Sequence, residues 1–402
     1  MENTLDQQMI NDIELQETKI INYQHDLDIK SSESSHLIDS TDRKYLDFTA
    51  NNDNNSLGFT KNIIKETLDS CSDLPVFLSE NYKGSSSSFL TQKIKELTGH
   101  SNIYTTESIA DAKDAMLQMI STWAKYNDYK DEVIVINAFG STQSIDYYKL
   151  LVKEKDYNKF LSVDLEFIRK SMISISSLKN YFSRNVAAVI IDTTGIIEDS
   201  FIIDHEIINC LRSLCDKNNA LLILNASDIA PGRTGKLLTT SGIVSDVAMY
   251  GIGWGQGISM GLMSVSDTLY CVLKDTYKHW YGTPVFACCI AENYLKAIDN
   301  SEFFENIDNL SQYLYKALIK LQNKYLTILD IKYKGLYFVI EMDFNLKDFV
   351  KLCFDDGLVI DLLDSRFIKL TPPFNITYKD IDFLNESFDK HLSNLKSDYC
   401  LE

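Results

Sequence analysis

The chain has 402 residues, of which 45% are hydrophobic and 24% are charged, and its formal net charge is -18 at pH 7. This length and composition predict a globular protein of about two domains with enough apolar residues for their cores. An acidic chain is repelled by phosphate backbones and by anionic lipid headgroups, so we expect neither a nucleic acid nor a membrane partner. Small molecules and proteins remain as partners.

The N-terminus and the cysteines both favour a cytoplasmic protein. The first residues, MENTLDQQMINDIELQE, are acidic and lack the basic stretch and apolar run of a secretion signal. The eight cysteines include no C-x-x-C pair of the kind that binds zinc or performs redox chemistry. We therefore expect reduced cysteines and no metal site.

Short apolar runs alternate with helical patterns in the middle of the chain. The runs are VIVIN at 133–137, VAAVIID at 186–192, ALLILNA at 220–226 and VAMYG at 247–251. Nearly continuous apolar strands are typical of a parallel sheet that is covered on both faces. Amphipathic segments such as residues 204–217 separate them, so this region predicts a doubly wound α/β domain. Ligands of such domains bind at the carboxyl ends of the strands.

The two ends of the chain have a different pattern. Residues up to about 58 include the hairpin-like stretch SHLIDSTDRKYLDF, and residues after about 295 predict a long helix, several short strands and a last helix. An α+β pattern at both ends predicts one small domain that is built from both. We therefore expect residues 1–58 and 295–402 to form the small domain and residues 59–294 to form the large one.

Five stretches carry a family resemblance. In chain order they are KYLDFTANNDNNSLGF, LCDKNNALLILNASDIAPGRTGK, YGTPVFACCIAENYL, KGLYFVIEMD and FIKLTPPFNIT. Together they resemble the class III pyridoxal-phosphate aminotransferases, the acetylornithine and ornithine branch especially, over nearly the whole chain. The resemblance implies a PLP-dependent transferase of fold type I. Such a protein is a homodimer with its cofactor between a large, mostly parallel, doubly wound domain and a small α+β domain.

Two residues depart from the family at the positions that carry its chemistry. The resemblance implies a lysine that bonds the cofactor aldehyde, in the segment SDVAMYGIGWGQGISMG, and an aspartate that pairs with the pyridine nitrogen, at the end of ALLILNA. An alignment without gaps places Ile252 and Asn225 there, and no lysine occurs between Lys236 and Lys274. Isoleucine can neither bond an aldehyde nor transfer a proton, and a neutral amide stabilises a protonated ring less than a carboxylate does. The segment itself predicts two buried strands joined by a tight loop.

The resemblance also assigns residues to the cofactor phosphate. Ser108, Ile109 and Ala110 correspond to a Ser-Gly-Ala turn at a helix N-terminus, whose backbone N–H groups hold the phosphate. A β-branched residue in place of glycine limits how closely the backbone approaches a ligand. His279 stands where a threonine of the partner subunit is expected, and it is either a phosphate contact or an ordinary interface residue.

Three more residues correspond to contacts with the ring and the substrate. Phe139 is retained as the aromatic that stacks on the ring, with a core aromatic as its alternative role. Asp228 replaces a glutamine near the phenolic oxygen, which an ionised carboxylate repels, and it also suits a turn cap. Lys369 replaces an arginine that binds a substrate carboxylate, so it keeps the charge without the bidentate geometry, and a solvated charge is its alternative role.

These departures favour a pseudoenzyme with the fold of a class III aminotransferase. It would not transaminate, and it would bind pyridoxal or pyridoxamine phosphate noncovalently, or no cofactor, in a ligand-binding or regulatory role or as the partner subunit of an active paralogue. One alternative is an active acetylornithine- or ornithine-type aminotransferase in which another lysine, such as Lys278 or Lys369, reaches the aldehyde. A second alternative is a different reaction in the same cleft.

Overall fold

A computed structural model describes residues 27–59, 61–79, 88–129, 133–138, 160–164, 182, 186–193, 205–240, 242–274 and 282–399. Phe139, Lys278 and His279 lie outside these ranges, so their predicted roles stay predictions. None of the helices in the described ranges is long and apolar enough to cross a membrane.

Fifteen strands and nine helices lie in the described part of the chain. The strands are β1 (Ile29–Glu33), β2 (His36–Asp39), β3 (Lys44–Asp47), β4 (Asn102–Thr106), β5 (Val133–Ala138), β6 (Phe160–Asp164), β7 (Val186–Asp192), β8 (Leu221–Ala226), β9 (Val247–Tyr250), β10 (Gly261–Val265), β11 (Ile328–Lys334), β12 (Tyr337–Met342), β13 (Leu358–Val359), β14 (Asp361–Asp364) and β15 (Phe367–Leu370). The helices are α1 (Lys61–Cys71), α2 (Ser88–Thr98), α3 (Ile109–Tyr126), α4 (His205–Asn218), α5 (Asp267–Leu273), α6 (Val285–Ile298), α7 (Ser301–Lys324), α8 (Lys347–Asp355) and α9 (Tyr378–Tyr399).

A seven-stranded sheet with the order β4-β10-β9-β8-β7-β5-β6 forms the centre of the large domain. The five strands from β9 to β6 run parallel, and β10 runs antiparallel to both of its neighbours. The four predicted apolar runs are β5, β7, β8 and β9. This arrangement confirms the predicted mostly parallel, doubly wound sheet.

Helices cover both faces of the sheet, which explains why its strands read as continuous apolar runs. On β8, Leu221 and Ile223 belong to the same apolar cluster as the buried face of α3, which includes Met116. The alternate residues Leu222 and Leu224 belong to the cluster of α4 and α6. Because successive side chains of a strand point to opposite faces, both sets must be apolar.

Segments from both chain ends form the small domain. One sheet has the order β1-β2-β3-β13, and β13 from the C-terminal part lies parallel to β3, with Leu358 opposite Leu46. A second, antiparallel sheet has the order β11-β12-β15-β14. This confirms the small α+β domain from both chain ends, and the boundaries at residues 58 and 294 stay a prediction.

The arginine of the GRTGK stretch joins the two domains. Arg233 is 0% exposed, and its Nε and Nη2 donate to Oδ1 of Asp53 at 3.0 and 2.5 Å. Its Nη1 donates to the carbonyl oxygens of Leu336 and Pro372. The loop after β8 is therefore bound to the N-terminal and the C-terminal part of the small domain by one buried side chain.

Candidate functional site

The carboxyl ends of β7, β8 and β9 meet at one edge of the large sheet, which is where a doubly wound domain binds ligands. Asp192 of β7 lies opposite Asn225 of β8, and Asn225 lies opposite Met249 of β9. Just beyond the strands, the backbone N–H of Ile252 donates to the carbonyl oxygen of Ser227 at 2.7 Å. These contacts bring the predicted positions Asn225 and Ile252 to the same edge.

The turn after β9 is glycine-rich because its backbone packs closely against neighbours. A Cβ on Gly251 would lie 2.2 Å from Cγ1 of Ile109, so the isoleucine fills the space beside this glycine. Gly253 has φ +79°, and a Cβ there would lie 2.4 Å from Cβ of Ala230. Larger residues would therefore collide with fixed neighbours at both positions that flank Ile252.

Neutral hydrogen bonds hold the rest of this turn. The buried Gln256 donates to Oγ of Ser56 at 3.0 Å and accepts from the backbone N–H of Leu57 at 3.1 Å. Asn55 donates to the Gln256 carbonyl oxygen at 3.2 Å. The absence of ionisable side chains from residues 251–260 thus matches a segment packed against uncharged groups, with an apolar side chain at Ile252.

The predicted phosphate turn is the N-terminus of α3. Ser108 is the N-cap: its Oγ accepts from the backbone N–H of Asp111 at 3.1 Å and donates to the Asp111 carboxylate at 2.6 Å. Ile109 and Ala110 are the first two helical residues. A helix N-terminus favours an anion, but the carboxylate of Asp111 already lies in this first turn. A phosphate would therefore meet a weaker positive potential than at an uncapped end.

Asn225 is buried at 1% exposure and has a fixed orientation. Its Oδ1 accepts from the backbone N–H of Ser227 at 3.1 Å, and since a backbone N–H is always a donor, the opposite atom of the amide must be Nδ2. This Nδ2 has no hydrogen-bond partner in the described part of the chain. Oγ of the buried Ser227 likewise has none among the described residues.

Lys113 lies beside Asp228, and no motif position in the sequence indicates it. Its side chain is 11% exposed, and its Nζ lies 3.8 Å from Oδ2 of Asp228. The ion pair offsets the charge that we expected to repel a phenolic oxygen at Asp228. The sequence does contain one indication that Lys113 lies near the predicted phosphate turn. Lys113 follows Ile109 by four residues, and this spacing places both side chains on one face of a helix.

Lys369 lies on β15 of the small domain. Its Nζ donates to Oδ1 of Asn52 at 2.9 Å and lies 3.2 Å from Oδ2 of Asp361, and its side chain is 15% exposed. Lys369 is therefore paired with neighbouring side chains of the small domain, and its two predicted roles, a contact with a substrate carboxylate or a solvated charge, both stay predictions. A substrate carboxylate would have to compete with Asp361 for this amine.

Comparison with known proteins agrees with this architecture. The family model described as Aminotransferase class-III matches residues 20–392. The acetylornithine aminotransferase of Clostridium acetobutylicum is 24% identical over 360 residues, which cover 87% of this chain and 92% of that protein. The succinylornithine transaminase of Photorhabdus laumondii is 24% identical over 362 residues, covering 87% and 90%.

Solved structures share the fold. The ornithine aminotransferase of Toxoplasma gondii superposes with a TM-score of 0.77 over 94% of this chain and 93% of that chain, at 18% identity. Such neighbours have the PLP-dependent transferase fold type I that the sequence predicted. Because the family model spans nearly the whole sequence, the chain belongs to aminotransferase class III.

Proposed function

We propose that this chain is a pseudoenzyme of aminotransferase class III that binds a ligand without transaminating it, in a regulatory role or as a partner subunit. The observation that supports this proposal most directly is the apolar side chain of Ile252, in the turn after β9, at the position where the family's lysine is expected. A Cβ at Gly251 or at Gly253 would collide with a neighbour, so neither flanking position can carry a substitute amine. Without an amine, no covalent bond to an aldehyde can form at this position.

Membership of the family implies pyridoxal phosphate as cofactor. In catalysis this cofactor needs an amine for its aldehyde and a hydrogen-bond acceptor for its protonated ring nitrogen. Ile252 supplies no amine, and the unpartnered atom of Asn225 is a donor. The residues therefore do not fit the catalytic form of the cofactor. We propose that pyridoxal or pyridoxamine phosphate binds noncovalently, or that the site takes no cofactor.

The ligand contacts that we propose follow the sequence assignment. The N-terminus of α3 would meet an anionic group, and the end of β8 would meet a ring. The assigned residues are Ser108, Ile109, Ala110, Asn225, Asp228 and Lys369, together with Phe139 and His279 outside the described residues.

A second candidate is an active acetylornithine- or ornithine-type aminotransferase that uses a lysine from elsewhere. Lys113 is a better choice for this lysine than Lys369, because its amine lies 3.8 Å from the carboxylate of Asp228, in the loop after β8. The amine of Lys369 is held by Asn52 and Asp361. Turnover by the wild-type chain separates the two candidates, and a loss of that turnover on replacing Lys113 by methionine would identify Lys113 as the amine that the enzyme uses.

We also propose that the chain assembles as a homodimer, as is typical of the family, or as a heterodimer with an active paralogue. Size-exclusion chromatography with light scattering on the purified chain tests this. A dimer mass is expected for the homodimer, and a monomer that dimerises only with the paralogue indicates the heterodimer.

The experiment that tests the proposed function is a transamination assay. The purified chain receives pyridoxal phosphate and, in turn, acetylornithine, ornithine and succinylornithine, the compounds in the names of its relatives. We expect no conversion of the amino donor by the wild-type chain. Turnover by the wild type that disappears in Lys113→Met would contradict the proposal and establish the second candidate.

A gain-of-function variant gives this assay a positive control. Ile252→Lys with Asn225→Asp restores both residues that the family pattern expects. We expect this double variant to acquire a covalent bond to pyridoxal phosphate, seen as a visible absorption band. A colourless double variant would indicate that the phosphate contacts have been lost as well as the lysine.

A further inference from the structure

We propose that the end of β8 binds an uncharged heteroaromatic ring through an acceptor nitrogen, with Asn225 Nδ2 as the donor and Ser227 Oγ beside it. This inference rests on the proposed function, in which a ligand occupies the site without a covalent bond. It specifies the protonation state of that ligand: the ring nitrogen binds as a neutral acceptor and not as a pyridinium.

The first support is the concentration of unpartnered polar atoms. Nearly all buried polar atoms in proteins have a hydrogen-bond partner, so each exception needs an explanation. Asn225 Nδ2 and Ser227 Oγ are both fully buried and lack a partner among the described residues. Asn225 is the last residue but one of β8 and Ser227 is the first residue after the strand, and the hydrogen bond from the Ser227 backbone N–H to Asn225 Oδ1 holds the two residues together. A ligand at this end of the strand would satisfy both.

The second support is the direction of the free hydrogen bond. The backbone N–H of Ser227 binds Oδ1 of Asn225, so the amide cannot rotate by half a turn without losing this bond and setting two N–H groups against each other. The group left for a ligand is therefore an N–H donor. A pyridinium N–H facing it would place donor against donor, whereas an unprotonated ring nitrogen accepts the bond.

The charged groups around Asn225 do not impose this preference. Asp192 is its neighbour on β7, and Lys113 of α3 pairs with Asp228 in the loop after β8. When ionised, two carboxyl groups and one amine carry a net negative charge, which attracts a cationic ring and so opposes the preference. The selection against a pyridinium must then come from the local donor of Asn225, which makes the inference testable by a change at this one residue.

The test uses two probes that have no aldehyde and so cannot bond a lysine. Pyridoxamine phosphate can present an unprotonated ring nitrogen, and its ring-N-methyl derivative is permanently cationic and has no acceptor there. Calorimetry measures both dissociation constants, and the ultraviolet spectrum of bound pyridoxamine phosphate reports the protonation state of its ring. We expect pyridoxamine phosphate to bind roughly ten times more tightly than the methyl derivative, with its ring nitrogen unprotonated.

Asn225→Asp distinguishes the hydrogen bond from a steric effect of the methyl group. The substitution keeps the size of the side chain and replaces the donor by a carboxylate, so we expect the preference to shift by about tenfold or more toward the methyl derivative. Asn385→Asp is the matched control, because Asn385 on α9 also has an unpartnered buried amide atom among the described residues and lies in the small domain. We expect it to leave the preference unchanged.

Three results would overturn the inference: equal binding of the two probes by the wild type, a preference that Asn225→Asp leaves unchanged, or no binding of either probe at millimolar concentration. None of these measurements involves an aldehyde, a lysine or turnover. The outcome of the binding measurements is therefore independent of the transamination assay. If Asn225 does not act as a donor, the proposed absence of transamination still depends on the transamination assay alone.

Discussion

Replacing Arg233 by methionine tests whether the arginine of the GRTGK stretch holds the two domains together. Methionine keeps much of the apolar stem and removes the guanidinium that binds Asp53, Leu336 and Pro372. The Asp53 carboxylate is 4% exposed and would keep its hydrogen bond from the backbone N–H of Ala230. Its negative charge would then be buried without a cation.

The magnitude follows from this burial. Removing one partner of a buried ion pair costs about 3–5 kcal/mol, because the remaining charge stays desolvated. A typical domain has a free energy of unfolding of about 5–15 kcal/mol, so Arg233→Met should lose a large part of it. The pair of Lys324 with Asp389 is exposed on both sides and screened by solvent, so Lys324→Met should leave the free energy of unfolding nearly unchanged.

Urea unfolding followed by circular dichroism and by tryptophan fluorescence measures these losses. Adding Asp53→Asn to Arg233→Met removes the lone charge, so the double variant should be more stable than the sum of the two single losses predicts, by about 1 kcal/mol or more. A loss in Arg233→Met that is no larger than the loss in Lys324→Met would refute the reasoning.

Two further predictions concern the segment around β9. Gly253→Ala places a Cβ 2.4 Å from Cβ of Ala230, whereas a Cβ at Gly242, at φ +87°, has no neighbour within 4 Å. Thermal unfolding should show Gly253→Ala to be about 1–3 kcal/mol less stable than Gly242→Ala. Equal stability of the two variants would contradict the packing described for this turn. Burial raises the pKa of Tyr250 to about 12, although the hydrogen bond with Thr240 acts in the opposite direction and lowers this pKa. The unfolded phenol ionises near 10, so the stability that Tyr250 contributes is complete below pH 10 and is lost as the pH rises toward 12. Tyr250→Phe should remove roughly 3 kcal/mol of this alkaline loss, and an unchanged slope of unfolding free energy against pH would contradict it.

The sheet could be predicted because burial on both faces leaves a direct trace in the sequence. Residues 186–191 and 220–224 are apolar without a break, and the structure places them in β7 and β8 between two layers of helices. The small domain was predictable for a similar reason, since strand and helix patterns recur at both chain ends. The pairing of β13 with β3 then joins segments about 310 residues apart.

The contacts within the site could not be predicted in the same way. Arg233 meets Asp53 across 180 residues, and Ile109 meets Gly251 across 142, so both contacts depend on the register of the finished fold. The alignment identified Asn225 as a neutral substitute but carried no information on which of its amide atoms is left without a partner among the described residues. The backbone N–H of Ser227 decides this, and it is visible only in three dimensions.

The ion pair of Lys113 with Asp228 illustrates a related difficulty. The motif positions give Asp228 as a carboxylate that repels a phenolic oxygen, and they indicate Lys278 and Lys369 as substitute lysines. The helical spacing from Ile109 to Lys113 was present in the sequence, but nothing local indicated that this face of α3 turns toward the loop after β8. The charge balance of the site therefore differs from the one that the motif positions imply.

The mass of the intact protein tests most directly whether the chain forms a covalent link to pyridoxal phosphate. The wild-type chain is mixed with one equivalent of pyridoxal phosphate, reduced with borohydride and weighed, with the Ile252→Lys and Asn225→Asp double variant treated in parallel. We expect an unchanged mass for the wild type and one phosphopyridoxyl group on the double variant. A single group on the wild type that maps to one lysine, Lys113 above all, would contradict this expectation.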